Sequence, residues 1–351
     1  MEENDSKDWI IGRRTFTRMI HKHMMELIDP HGRQLTYLRL SVTDRCNFRC
    51  YYCMPEEKMN FAAATDLLSF SELYQLTELF SLLGIRKVRV TGGEPFVRKG
   101  TLPFIEKISQ LSGIREISVT TNGSIPEKHM ERLRQAGVHT VNVSLDALDR
   151  ARFYQITRRD CFDEVYANIF TLLEKGFRVK INCVVSAGKN TEDILSLVAL
   201  TRSYPLSVRF LEEMPFNGKT AFTPSWDYRQ IYEYIQQHYA SIEKLEDSKD
   251  TTSVNYQVRG HQGSFGIIPA FSRTFCGTCN RIRLSATGEL RTCLYGPPVA
   301  NLRDLLRQGA TQTALIEEIR RAVSKREKDG FAAEARNLDP AVHASMSVIG
   351  G

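Results

Sequence analysis

From residue 35 to about residue 240 the chain switches repeatedly between two periods. Short apolar-rich bursts, with apolar and polar residues in alternation, fall at 35–42, 87–91, 115–120, 139–145, 178–185 and 207–212, and they predict strands. Between them the apolar spacing lengthens to that of a helix face. One helix starts at Ser69, whose partner Glu72 completes a capping box, and runs through Leu73, Leu76 and Leu79-Phe80 to a stop at Gly84. Others are predicted over 103–112, 126–136, 161–175, 191–203 and 225–239. Strands that alternate with helices in this way predict an α/β fold with a parallel sheet. Six such units are too few to close an eight-fold barrel.

Beyond residue 240 the alternation fails. Asp247 to Ser253 reads as a linker, and short strand-like runs follow at 254–259, 264–268, 281–285 and 289–292, then a helix from Leu302 through Ala322. The predicted organisation is an extension over 1–34, an α/β unit over 35–245 and a smaller unit over 246–351. The basic, partly apolar run Ile10–Ile28 predicts an extra helix.

Composition adds little to this picture. A chain of 351 residues, 42% hydrophobic, can bury the core of one large domain and a smaller unit. No apolar run reaches the length of a membrane span, and the acidic start (Glu2, Glu3, Asp5, Asp8) argues against a signal or transit peptide. The net charge of +6, from 47 basic and 41 acidic residues, hints only weakly at an anionic ligand.

Cysteine changes the picture more. Six of the eight cysteines form two triplets: Cys46, Cys50 and Cys53 in a C-x3-C-x2-C run, and Cys276, Cys279 and Cys293. Three thiolates leave one iron of a cubane cluster open to a ligand that is not protein, which suits catalysis. Zinc is the rival reading, although zinc sites usually close with four ligands, and the nearest histidines, His31 and His261, are fifteen residues from each triplet's first cysteine. A disulfide framework suits small secreted domains better than this chain. Reduced thiols place the protein in a reducing compartment, the cytoplasm. Cys161 and Cys183 are left over and read as buried apolar cysteines.

The first triplet, with Tyr52 just before its last cysteine, follows one predicted strand, and Val88-Arg89-Val90-Thr91-Gly92-Gly93-Glu94-Pro95 carries the next into a glycine turn. Together they resemble the radical S-adenosylmethionine (SAM) superfamily. The resemblance implies an open, partial (β/α)6 TIM-like barrel, a [4Fe–4S] cluster on Cys46, Cys50 and Cys53, and SAM chelated to its open iron. It also implies that the Gly-Gly-Glu-Pro turn meets the SAM amino group, which glycine allows by letting backbone carbonyls approach closely. In such a barrel chemistry gathers at the C-terminal strand ends, which here are polar. Arg39, Arg89 and Lys180 bring three cations there, suited to a triphosphate.

The later motifs, Cys276-x2-Cys279-Asn280-Arg281-x-Arg283, Thr292-Cys293-Leu294-Tyr295-Gly296 and the terminal Gly350-Gly351, resemble the GTP 3′,8-cyclase family of molybdenum cofactor biosynthesis, in order, from Leu35 to the end. That resemblance implies a SAM-derived 5′-deoxyadenosyl radical that removes the 3′ hydrogen of GTP, followed by closure onto guanine C8. It implies a second [4Fe–4S] cluster on Cys276, Cys279 and Cys293 that holds the guanine edge. Tyr52, Gly93, Ser144 and Met214 would contact SAM; Arg39, Arg89, Thr120, Lys180, Arg281, Ile282 and Arg283 would contact GTP; and Arg281, Arg283, Gly350 and Gly351 would serve catalysis. Arg281 and Arg283 lie on one strand-like run and are not required to share a face. Expected partners are GTP, a downstream cyclic pyranopterin monophosphate synthase and an electron donor, with no nucleic acid or membrane; a homodimer is left open. The rivals are a two-cluster radical SAM enzyme that modifies peptides, and a zinc-stapled basic binding module.

Overall fold

The computed structural model describes residues 26–54, 61–215, 224, 226–247, 251–336 and 345–349. Six parallel strands lie side by side in chain order: β1 (Tyr37–Ser41), β2 (Lys87–Thr91), β3 (Glu116–Thr121), β4 (Thr140–Ser144), β5 (Arg178–Val185) and β6 (Ser207–Glu212). The helices between them are α1 (Phe70–Leu82), α2 (Thr101–Ile108), α3 (Glu127–Gln135), α4 (Arg150–Thr157), α5 (Phe162–Glu174), α6 (Asp193–Ser203) and α7 (Tyr228–His238). This is an α/β partial barrel, with each strand at or within a residue or two of its predicted position. The capping box forms as read: Ser69 accepts from the Glu72 backbone N–H, and the Glu72 carboxylate accepts from the Ser69 N–H.

Period-two alternation divides each strand between core and cavity. Leu38, Leu40, Val88, Val90, Val119, Val141, Ile181 and Phe210 are fully buried in the hydrophobic core. Their neighbours Arg39, Arg89, Thr120, Lys180 and Arg209 line the cavity on the other face. One set of strands therefore carries both the core and the site.

The C-terminal strands are β7 (Ile242–Lys244), β8 (Val254–Val258), β9 (Ser264–Ile268), β10 (Arg281–Leu284), β11 (Glu289–Arg291) and β12 (Ala300–Asn301). They join the same sheet at both sides, in the order β12-β11-β10-β1-β2-β3-β4-β5-β6-β9-β8-β7. β10 pairs in parallel with β1, and β9 in parallel with β6. The expected linker at 247–253 lies partly outside the described residues; around it, β7 and β8 pair as antiparallel neighbours.

Three local readings are corrected. Helix α4 was not expected; Asp149 starts it by accepting from the Arg152 N–H, and its cap hides among polar residues that also read as loop. The single helix expected over 302–322 is two, α8 (Leu302–Arg307) and α9 (Gln312–Val323). Gly309 at φ 82° ends the first, and the Thr311 side chain caps the second. Two short helices follow, α10 (Gly330–Glu334) and α11 (Met346–Ile349). Cys183 is fully buried as expected, but Cys161 is half-buried at the start of α5. The helix expected over Ile10–Ile28 lies almost wholly outside the described residues. Among the described residues no helix is long and apolar enough to cross a membrane.

Candidate active site

The strand ends open into one cavity of about 640 Å³. All six triplet cysteines line it, as do Tyr52, Gly93, Ser144 and Met214 and the polar residues Arg39, Arg89, Thr120, Lys180, Arg281 and Arg283. Strand register explains the gathering of cations. Arg39 stands beside Arg283 on one side and Arg89 on the other, while Tyr37 stands between Arg281 and Lys87. Like charges side by side on a sheet destabilise it, so these rows call for an anion between them.

Burial sharpens that demand. Lys180 is pushed down to about 7 by burial, reinforced by Arg209, Arg89 and Lys87. Burial and neighbouring guanidinium groups likewise bring Arg209 and Arg283 down to about 10. Burial alone would push the Tyr37 phenol up, but Arg89, Arg39, Lys87 and Arg281 outweigh it and hold it below its ordinary value. Tyr37 Oη, Thr120 Oγ1 and Arg209 Nε are buried without a hydrogen-bond partner in the protein. Orphaned polar atoms of this kind mark places where a ligand completes the bonding. The residues fit a phosphorylated, hydrogen-bonding substrate.

Ile282 differs from its neighbours. It is fully buried in the core and absent from the cavity wall. Because the strand period is two, Arg281 and Arg283 point together into the cavity and Ile282 points away, so the two arginines do share a face. Gly350 and Gly351 lie outside the described residues. Just before them, Met346 and Ser347 line the cavity and the Ser345 hydroxyl donates to the Cys53 carbonyl, which ties α11 to the first triplet.

The first triplet sits on the loop after β1. The Phe48 N–H donates to Cys46 Sγ at 3.3 Å, and Asn122 Nδ2 approaches it at 3.8 Å. Burial pushes the Cys46 thiol up to about 12 and Cys53 to about 11, so without a metal both stay protonated. A metal cluster would displace those protons. Among the described residues no three His, Cys, Asp or Glu side chains are grouped to hold a single metal ion.

The glycine turn after β2 is pressed onto the cysteine loop. A Cβ on Gly93 would lie 2.3 Å from the Arg45 carbonyl oxygen, and one on Gly92 would lie 2.4 Å from that of Thr43. Only glycine fits there, and it leaves a narrow backbone cradle at the cavity wall. Two carboxylates that the sequence reading did not assign fix the surroundings. Glu94 accepts from the Thr121 hydroxyl at 2.9 Å and the Asn122 N–H at 2.7 Å, locking the turn to the end of β3. Asp146 accepts from Tyr52 Oη at 2.7 Å and the Val184 N–H at 2.8 Å, and so sets the Tyr52 ring. Burial raises Glu94 to about 7 and Asp146 to about 6.

The second triplet lies across the cavity. Burial raises Cys276 and Cys293. At Cys279 the burial effect is outweighed by Arg281 and Arg326, which hold its thiol below the ordinary value. Arg326 was also missed by sequence reading, because Lys325-Arg326-Glu327-Lys328 reads as a solvated charge run.

An open barrel with a cysteine triplet after its first strand and a glycine cradle after its second defines the radical SAM class, and residues 40–201 match the Radical SAM superfamily. Residues 206–331 match Molybdenum Cofactor Synthesis C, a span that includes β6. The chain is 42% identical over 330 residues to "GTP 3′,8-cyclase, mitochondrial" of Arabidopsis thaliana, covering 92% of this chain and 82% of that protein. It is 41% identical over 291 residues to the GTP 3′,8-cyclase of Ectopseudomonas mendocina, covering 81% and 87%. On these two relatives the chain belongs to the GTP 3′,8-cyclase family. It is also 42% identical over 304 residues to mouse molybdenum cofactor biosynthesis protein 1, covering 86% of this chain but only 48%, about half, of that longer protein. Among solved structures, Streptococcus suis SuiB shares the fold, with a TM-score of 0.59 at 14% identity, covering 99% of this chain and 83% of SuiB.

Proposed function

We propose that the protein converts GTP to (8S)-3′,8-cyclo-7,8-dihydroguanosine 5′-triphosphate, an early step of molybdenum cofactor biosynthesis. The observation that carries this reading is the shared cavity, which both cysteine triplets line together with a cationic floor. Cys46, Cys50 and Cys53 would hold a [4Fe–4S] cluster, and Cys276, Cys279 and Cys293 a second one that faces the guanine. When bound, the first cluster would supply the electron that splits SAM into methionine and a 5′-deoxyadenosyl radical capable of removing a ribose hydrogen.

The chain's own residues then have three tasks. Gly93, Ser144 and Met214 would receive SAM, with Tyr52 oriented by Asp146. Arg39, Arg89, Lys180, Arg281 and Arg283 would clamp the triphosphate, and Thr120 would complete its bonding with the substrate. Bidentate guanidinium–phosphate bonds fix orientation as well as charge. Arg281 and Arg283, beside the second triplet, touch both substrate and reaction centre in this reading. Closing the cavity mouth would exclude water and stray hydrogen donors; Gly350 and Gly351, which lie outside the described residues, would serve catalysis as the family resemblance implies. The product would pass to a cyclic pyranopterin monophosphate synthase. An external donor would supply electrons, and the cytoplasm is the compartment that suits the reduced thiols; the Arabidopsis relative is named mitochondrial.

The test is anaerobic reconstitution with iron and sulfide, then turnover with SAM, a reductant and either GTP or ATP. Formation of 5′-deoxyadenosine and a cyclised nucleotide only with GTP supports the reading. SAM cleavage indifferent to GTP overturns the cyclase assignment and leaves the radical SAM half.

A further inference from the structure

We infer that the two cysteine triplets hold their clusters at different reduction potentials, the second higher, and that Arg326 is the positioning residue that sets the difference. The inference rests on the two-cluster reading above. Reduction adds negative charge to a cluster, so neighbouring cations favour the reduced form and carboxylates oppose it. Hydrogen bonds to the sulfurs act in the same direction as cations.

The two sites are opposite in this respect. At the second, Arg326 Nη2 donates to Cys279 Sγ at 3.2 Å, and Arg281 Nη1 approaches the same sulfur at 3.9 Å. Arg326 is only 5% exposed, so water screens its charge little. It is also held rigidly. Its Nη1 donates to the Cys279 carbonyl at 2.9 Å and to Asp29 Oδ2 at 3.2 Å. Asp29 in turn takes Arg33 Nε at 2.6 Å, and Arg33 Nη1 reaches the Cys276 carbonyl at 2.8 Å. The turn before β1 thus clasps the second triplet through two guanidinium groups that share one carboxylate. Asp329, another nearby anion, is engaged as the cap of α10, where it accepts from the Ala332 N–H at 2.8 Å.

At the first triplet the donors on Cys46 Sγ, the Phe48 N–H and Asn122 Nδ2, are neutral. Among the described residues the buried charged neighbours are carboxylates: Glu94 acts on Cys46 and Asp146 on Cys50. Arg49 lies close, but its guanidinium is directed at the carbonyls of Cys46 and Phe48.

The test is a redox titration of the reconstituted enzyme, without SAM or GTP, monitored by electron paramagnetic resonance at pH 8. The two signals are assigned with the triple variants Cys46→Ala/Cys50→Ala/Cys53→Ala and Cys276→Ala/Cys279→Ala/Cys293→Ala. At any given solution potential the second cluster is expected to show a reduced-to-oxidised ratio at least ten times that of the first, which is about 59 mV for one electron. Arg326→Gln should cut that ratio about tenfold and leave the first cluster unmoved; Arg326→Lys, which keeps the charge but loses the fork, should fall between. Coincident or reversed titration in the wild type, with about eight irons bound, overturns the inference alone. So does an unchanged second signal in Arg326→Gln. Should Arg326→Gln fail to hold the second cluster, the wild-type comparison and Arg326→Lys decide. Full iron retention in the Cys276, Cys279 and Cys293 variant overturns the two-cluster reading itself.

Discussion

Lys180 shows how far the cavity alters a single residue. Burial and three neighbouring cations bring its ammonium down to about 7, so near neutrality it is partly uncharged before a ligand binds. A bound polyanion favours the charged form and raises the value again, so binding takes up a proton above pH 7. GTP affinity should therefore weaken as pH rises from 7 to 9, by up to about tenfold per unit. Calorimetry in buffers of different ionisation heat measures the uptake, and Lys180→Met should abolish both the uptake and the slope. A flat profile in the unaltered protein would contradict this account of the floor. Arg39 and Arg89 stand mid-strand and Lys180 near the start of β5, but all three were legible as polar residues in otherwise apolar strands, expected at the C-terminal strand ends. Glu94, Asp146 and Arg326 were not: their importance comes from being buried against particular partners, and neither spacing nor composition records that.

At the scale of the element, caps were legible where their chemistry is local. The Ser69–Glu72 box needs four residues of sequence and appears as read, while Glu72 also takes Arg307 Nε at 2.8 Å from the distant helix α8. Removing one half of the box isolates the local part. Ser69→Ala should cost about 1 kcal/mol, read from denaturant unfolding, and leave nucleotide binding unchanged because α1 packs outside the sheet. The break between α8 and α9 was missed for a physical reason. Apolar periodicity continues across Gly309-Ala310-Thr311, and only the left-handed conformation of Gly309 and the Thr311 cap interrupt it. The glycine turn after β2 was recognised as a motif, but its tightness, with the Arg45 carbonyl where a Cβ would go, belongs to the approach of two loops far apart in sequence.

At the scale of the whole molecule the decisive feature is one sheet. Because β10 covers β1 and β9 covers β6, the segment after residue 246 protects both edges of the six-stranded barrel. Unpaired edges invite aggregation. A chain ending at residue 245 should thus fail to fold as a soluble unit, and a monomeric fragment with native-like exchange protection would contradict this. The sequence showed two regimes of periodicity, but long-range strand pairing leaves no local trace in it. The same pairing carries Arg281 and Arg283 to the side of Tyr37 and Arg39 and so builds the cationic floor from both ends of the chain.

The measurement closest to the central claim, that this cavity sets GTP's ribose against the chemistry of the first triplet, uses GTP deuterated at the 3′ carbon. After anaerobic turnover of the reconstituted protein, the 5′-deoxyadenosine formed is examined by mass spectrometry. The account predicts one deuterium transferred from GTP to 5′-deoxyadenosine in step with nucleotide cyclisation. Unlabelled 5′-deoxyadenosine, or label arriving only from another ribose position, would contradict it.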